Sequence, residues 1–280
     1  MSKLLRSDFR RLAKSKTAML CLLAECLLAF AGVMSRVYYT NELGEPGYDT
    51  VKGLYFFDMQ CYPVLIAVFV GIFIGIEFAD KTIRNKLIVG HSKINVYLSN
   101  LVVTSVALLL MHIVYCVTVL GLSFAFFDGF TITGTDYWLS FFCSLATIIA
   151  TNAVILMCCM LMQNMAFSSI VCILLALGFI IFGLNIQGAL ENPPTIGGYE
   201  YEYGGEIIQV PSSENPYYVG GALRAIYTFL NDFLPGGQGL TINLNDALPS
   251  QYVTMTVYAL ILTMLSTFVG IYRFKRRNMK

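Results

Sequence analysis

The chain has 280 residues, of which 57% are hydrophobic and only 12% charged, and its formal net charge is +1. A soluble domain would carry roughly 25% charged residues. A mean hydropathy of +0.68 therefore excludes a water-soluble globular protein and indicates an integral membrane protein, for which the lipid bilayer is a partner and nucleic acid is not.

At the start of the chain, Leu4, Leu5, Phe9 and Leu12 recur at helical spacing among Lys3, Arg6, Arg10, Arg11, Lys14 and Lys16. That pattern predicts a short interfacial helix over residues 1–16, lying in the headgroup plane, with a disordered basic anchor as the plainer alternative. Spans need about 20 apolar residues, and six are read at 17–37, 54–79, 95–127, 137–162, 166–187 and 251–272. The basic start and the small-residue pattern Ala29-Phe30-Ala31 could be taken for a secretory signal. Removing the first span, however, would put the basic loop around Arg84 on the opposite side from the basic tail, so the span is expected to remain.

Within the first span, Glu25 is the one acid well inside apolar sequence, and the cost of burying it directs it to the bundle interior or an aqueous cavity. It is a candidate for a translocation pathway, the alternatives being protonation or pairing with a basic group such as Lys93. Gly71 and Gly75 in the second span form a Gly-x-x-x-Gly pattern that permits close helix contact, within the chain or across a dimer. The segment that follows is charged and wedged between two apolar spans. Read as a helix over 80–91, it makes i,i+4 pairs of Asp80 with Arg84 and Glu77 with Lys81, and an apolar stripe of Ile83 and Leu87. Gly90 offers a stop and Ser92 a cap for the next helix. A solvated turn carrying ordinary basic charges is the bland alternative.

In the third span, His112 is the second candidate pathway residue, though a lone intramembrane histidine is commonly a hydrogen-bonded packing residue. No Asp, Glu, Lys, Arg or His occurs from Tyr137 to Leu190, so Gln163-Asn164 is left as the turn between the fourth and fifth spans. The long segment 188–250 divides in two. Its first half, with Pro193, Pro194, Gly197, Gly198 and three tyrosines, reads as irregular loop. From Tyr217 to Phe233, apolar residues recur at helical spacing until Leu234-Pro235-Gly236-Gly237, which predicts an amphipathic helix on the membrane face, capping a pathway or packing on span ends.

Charge placement sets the topology. Fifteen basic residues fall before the first span, after the second and after the sixth, all on one side of a six-span chain. The other side is acidic, with only Arg36, Lys52 and Arg224 opposing acids such as Glu42, Glu45, Asp49, Asp128, Glu200 and Asp246. Both termini are therefore expected in the cytoplasm. All eight cysteines lie in or at the ends of predicted spans, without a disulfide framework or zinc spacing, and no nucleophile–base pair or ligand cluster suggests catalysis or a metal. Gly75 to Thr82 superficially matches a phosphate-binding loop, but Asp80 takes the place of the second glycine and would repel phosphate. The chain is not expected to bind ATP or any other cofactor.

Together the layout and the wording Glu77-Phe78, Lys81-Thr82-Ile83-Arg84-Asn85-Lys86-Leu87, Gly90, Ser92-Lys93 and Tyr97 resemble type-2 ABC transporter permeases. The resemblance implies an all-α integral membrane subunit with a coupling helix in which Asp80, Lys81, Ile83, Arg84, Lys86 and Leu87 contact the ATPase. It also implies a connecting helix at Lys3 to Lys16, a Pro-Gly feature at Leu234 to Gln238, separate ABC ATPase subunits and a second permease copy or paralogue. ATP would be hydrolysed on the partner, and residence in the bacterial inner membrane and export of substrate would follow. Two other classes compete. A stand-alone secondary transporter or channel would need more midplane ionisable groups than Glu25 and His112, and a non-transporting anchor would use the outer segment only to hold a partner.

Overall fold

A computed structural model describes residues 1–43, 53–127, 134–162, 164–203, 206–244 and 247–277. The loop acids Glu45, Asp49, Asp128 and Asp246, the basic Lys52 and Lys280, and the turn residue Gln163 lie outside the described residues.

The basic interfacial stretch forms α1 (Ser2–Ala13), and Ser15, whose hydroxyl accepts from the Ala18 amide, separates it from α2 (Lys16–Leu43). Next come α3 (Asp58–Ala79), the short α4 (Thr82–Ile88), α5 (Lys93–Phe126), α6 (Gly134–Met162) and α7 (Met165–Glu191). After the outer segment the chain forms α8 (Gly221–Phe233), α9 (Pro235–Leu244) and α10 (Pro249–Arg276). Among the described residues six helices, α2, α3, α5, α6, α7 and α10, are long and apolar enough to cross a bilayer, and the protein is an all-α integral membrane protein.

These spans are not equivalent. α3, α5 and α6 bury more than half of their most apolar stretch inside the chain, whereas α2, α7 and α10 bury less than a quarter. The first three form the core around Tyr62, Phe69, Leu108 and Leu156, while Leu23 and Leu27 of α2, Leu174 of α7 and Met264 of α10 face outward. An apolar exterior is what lipid requires. α7 lies against α3 through the two glycines of the second span: a Cβ at Gly71 would meet Ser169 and one at Gly75 would meet Met165. The Gly-x-x-x-Gly pattern is thus used within the chain. Asn164 caps α7 by accepting from the Phe167 amide.

The segment expected as irregular loop is partly ordered as strands. β2 (Tyr199–Tyr203) pairs antiparallel with β3 (Glu206–Val210), and β1 (Thr195–Ile196) pairs with β4 (Ser213–Glu214). The period-two alternation of Tyr199, Glu200, Tyr201, Glu202 and Tyr203 is the strand signal that the Pro and Gly content outweighed. The Pro-Gly feature also does more than end a helix. Pro235 opens α9, whose residues from Pro235 to Ile242 are buried against α3, α6 and α7. Such a buried helix fits only because it is built from glycine on its tight faces: Gly236 lies on the Phe179 carbonyl, Gly239 on the Met59 carbonyl and Gly183 of α7 on Gly236 and Gly237. Gln238 then fixes its depth. Its Oε1 accepts from Thr147 of α6 at 2.9 Å, and its Nε2 donates to the carbonyls of Asp232 at 2.7 Å and Met255 of α10 at 3.1 Å.

Because backbone and not a mobile side chain opposes Gly236, Gly236→Ala is expected to cost about 1–3 kcal/mol, typical of overpacking. Gly178→Ala, which meets nothing within 4 Å, is the neutral control. Thermal unfolding of the detergent-solubilised variants checks both.

Candidate functional site

The end of the bundle that gathers α1, α4 and the tail of α10 carries the charged loop. Lys93 at the start of α5 donates to the carbonyls of Lys275 at 3.1 Å and Arg277 at 2.6 Å, which ties that tail to the loop. It does not reach Glu25, so the pairing considered from the sequence is not formed.

α3 and α4 are not one continuous helix. Asp80 closes α3, and Lys81 takes the left-handed conformation at φ 56° before α4 begins at Thr82. The break removes the helical register on which the expected Glu77–Lys81 and Asp80–Arg84 pairs depended. Glu77, 1% exposed, instead turns inward. Its Oε1 accepts from Lys86 of α4 and lies 3.1 Å from Arg11 Nη1 of α1, and its Oε2 accepts from Asn100 of α5 at 2.8 Å. Lys86 also donates to Asp8 Oδ1 at 2.7 Å, while Asp8 Oδ2 accepts from Ser99 at 2.6 Å. Two carboxylates, one ammonium and one guanidinium thus balance in charge, and every carboxylate oxygen has a partner, the condition under which burying charge is tolerable. Arg11 also lies 3.8 Å over the Phe73 ring. Burial pulls its guanidinium below its ordinary range, and the charges of Glu77 and Asp8 oppose that pull.

This network divides the predicted coupling residues into two sets. Ile83 is 1% exposed and packs in the core, Leu87 is half-buried against it, and Lys86 is committed to Asp8 and Glu77. Asp80, Lys81 and Arg84 are exposed, as are Ile88 at 73% and Val89 at 78%. The outward apolar residues of α4 and its C-cap are therefore Ile88 and Val89, while the Ile83–Leu87 stripe holds the helix to the bundle. α4 ends in a Schellman arrangement, with Gly90 N donating to Leu87 O and His91 N to Lys86 O at φ 98° for Gly90. Ser92 caps α5 by accepting from the Asn95 amide at 3.2 Å.

Deep in the bundle, His112 of α5 has Nδ1 2.5 Å from Asp58 Oδ2 of α3 and Nε2 2.8 Å from Ser144 Oγ of α6. The rings of Phe56 and Phe141 stack on it and Tyr62 meets it edge-on. Since the Ser144 hydroxyl donates to the Phe141 carbonyl at 2.7 Å, its oxygen accepts from Nε2–H. Cys116 Sγ also lies 3.6 Å from Nε2, so both ring nitrogens are engaged. Glu25 of α2 is 2% exposed, and its Oε2 has no hydrogen-bond partner among the described residues. The structure gathers Glu25, Asp58 and His112 within electrostatic reach of one another, but only the last two bond.

Asp8 and Asp58 were missed in the sequence for want of a visible partner. Asp8 had a local signal: it is the one acid in a basic segment and falls one helical turn after Leu4, on the buried face. Asp58 had none, because His112 is 54 residues away.

A bundle of six spans with a charged helix clamped at one end is that of a multi-pass membrane protein. Residues 4–183 match the ABC-2 family transporter protein family, and the chain belongs to that family, as a membrane-spanning component of a transporter. The family is in general one of non-catalytic membrane subunits. The match covers α1 to most of α7 and stops before the outer segment, α8, α9 and α10. No curated protein matches the chain.

Replacing Lys86 with Met leaves two buried carboxylates facing one guanidinium, and a loss of about 3–5 kcal/mol is expected. In a cycle with Glu77→Gln, the double variant is expected to show a coupling energy of roughly 0.5–3 kcal/mol, read from detergent unfolding titrations. Strict additivity would contradict a shared network.

Proposed function

We propose that the chain is the permease subunit of an ATP-driven exporter, with α4 as the helix on which a separate ABC ATPase subunit docks. The observation that carries this reading is the two-sidedness of α4. Its inner face is fixed by Ile83, Leu87 and Lys86, and its outer face and flanking residues present Asp80, Lys81, Arg84, Ile88 and Val89 to a partner. An apolar anchor rimmed by charge is the usual composition of a specific interface.

Movement of such a helix cannot be absorbed locally. A push on α4 is passed by Lys86 to Glu77 on α3 and Asp8 on α1, and from these to Asn100 and Ser99 on α5. The core spans would then shift as a rigid body between inward and outward access, driven by the difference in partner contacts between the two states. A second copy of this chain or a paralogue completes the pathway, and the sparsely buried faces of α7 and α10 leave room for it. In this reading the membrane is a bacterial inner membrane and the basic end, with both termini, faces the cytoplasm, an orientation that the distribution of Lys and Arg supports.

A stand-alone secondary transporter gains one ionisable group from the structure, Asp58. Its Oδ2 is bonded to His112, however, which leaves only Oδ1 without a partner among the described residues, fewer free groups than a midplane ion site calls for.

Mild-detergent purification from the native host tests the proposal. Wild type is expected to bring down an ABC ATPase subunit, and Arg84→Glu and Ile88→Asp are each expected to reduce its recovery at least tenfold while membrane insertion is unchanged. Wild-type recovery with both variants, or no ATPase with the wild type, would contradict it.

A further inference from the structure

α2 and α3 diverge around a cavity of about 520 Å³ whose walls are almost wholly apolar. Leu20 and Leu28 of α2 and Val64, Leu65, Val68 and Ile72 of α3 form its sides, and Glu25 sits among them. Its length follows from the eleven residue steps between Thr17 and Leu28, roughly 16 Å at helical rise. Leu20 is 65% exposed on the lipid-facing flank of α2, so the groove opens sideways toward the bilayer.

Glu25 has no reason to be there on packing grounds. A glutamine or leucine would fill the same volume without the cost of a buried acid. The residue is 2% exposed in the groove wall, and its Oε2, covered by its surroundings, has no hydrogen-bond partner among the described residues, so that a small turn of the side chain brings an unpaired oxygen to the groove. Among the described residues no Lys, Arg or His lines the cavity. Lys93 is engaged with the α10 tail and His112 with Asp58 and Ser144.

We propose that this groove is a binding site for a lipophilic monocation, an aliphatic or aromatic body carrying one protonated amine, which enters from the bilayer and places its ammonium against Glu25. The apolar walls take the body by burial. The ammonium donates a charge-assisted hydrogen bond to the free carboxylate oxygen, in a setting where water does not compete. Neither contact alone selects the ligand: an acyl chain satisfies the walls and leaves Oε2 unpaired, and a small hydrated cation satisfies the carboxylate and leaves the walls empty. The site stands apart from the docking of α4, because it requires only this chain, so failure of either proposal leaves the other intact.

The test uses the full chain in phosphatidylcholine nanodiscs, titrated with monodansylcadaverine, a primary ammonium on an aromatic body, and with its neutral N-acetyl derivative, with empty nanodiscs subtracted. Wild type is expected to bind the amine at least tenfold more tightly than the acetylated probe. Glu25→Gln is expected to bring the two affinities within twofold. Val68→Trp, which keeps the carboxylate but fills the groove, is expected to weaken amine binding at least fivefold. Equal binding of the two probes to wild type would identify a groove for neutral lipid and overturn the proposal, and an undiminished amine preference in Glu25→Gln would do the same.

Discussion

Two carboxylates buried at the end of a membrane bundle, Asp8 and Glu77, must find positive partners or raise the energy of the fold by several kcal/mol each. They find Lys86, which bridges both, and Arg11, which lies on Glu77. The four residues come from three elements that touch little else in common: the interfacial α1, the second span α3 and the short α4. Ser99 and Asn100 add α5 to the group. No member can leave without stranding a charge, so α4 is held in one orientation although it is only seven residues long. A helix of that length has no stability of its own in water. Its form is a consequence of Lys86, Ile83 and the αL break at Lys81.

The same logic recurs at the opposite end with neutral groups. α9 reaches between α3, α6 and α7 with glycines at each close approach, and Gln238 spends its donors and acceptor on Thr147, Asp232 and Met255. Non-lipid-facing backbone at depth is tolerated when it is buried in protein. Between these two fixed ends, α3 and α5 run the length of the bundle and carry the Asp58–His112 pair near its far side. α3 and α5 are thus pinned by polar contacts at the charged end and at the Asp58–His112 pair, and α10 is tied at both its ends, by Lys93 to its tail and by Gln238 to Met255, while α2 holds to the core largely by apolar packing. Coupled motion of α3 and α5, with looser motion of α2, is the mechanical behaviour this distribution favours.

Much of the fold was legible because a membrane imposes a coarse code. Six apolar runs, a basic amphipathic start and a charged loop after the second span each have a pattern that survives without tertiary information, and α1 and the six spans lie where those patterns fall. What could not be read depends on contacts between distant residues. The register of the charged loop assumed a continuous helix, but Lys81 adopts a positive φ, and Lys86 with Glu77 replaces Lys81 with Glu77. Ile83 and Leu87 were correctly a stripe; which side of α4 they occupied required knowing where Asp8 lay. Pro235 to Gly239 has the composition of a breaker, and only the proximity of Phe179 and Met59 makes those glycines the condition for a buried helix. Glu25 and His112 were legible as unusual residues, but the distinction between a bonded pair and a lone acid was not.

The central claim is that α1 and α4 are one mechanical unit, fastened to the core by Lys86. Hydrogen–deuterium exchange of the membrane-embedded chain, with and without Lys86→Met, measures this directly. The account predicts that amides of Ser2–Ala13 and Thr82–Ile88 gain exchange together in the variant, while those of Gly134–Met162 stay protected. Release of α4 alone, with α1 as protected as in the wild type, would contradict it.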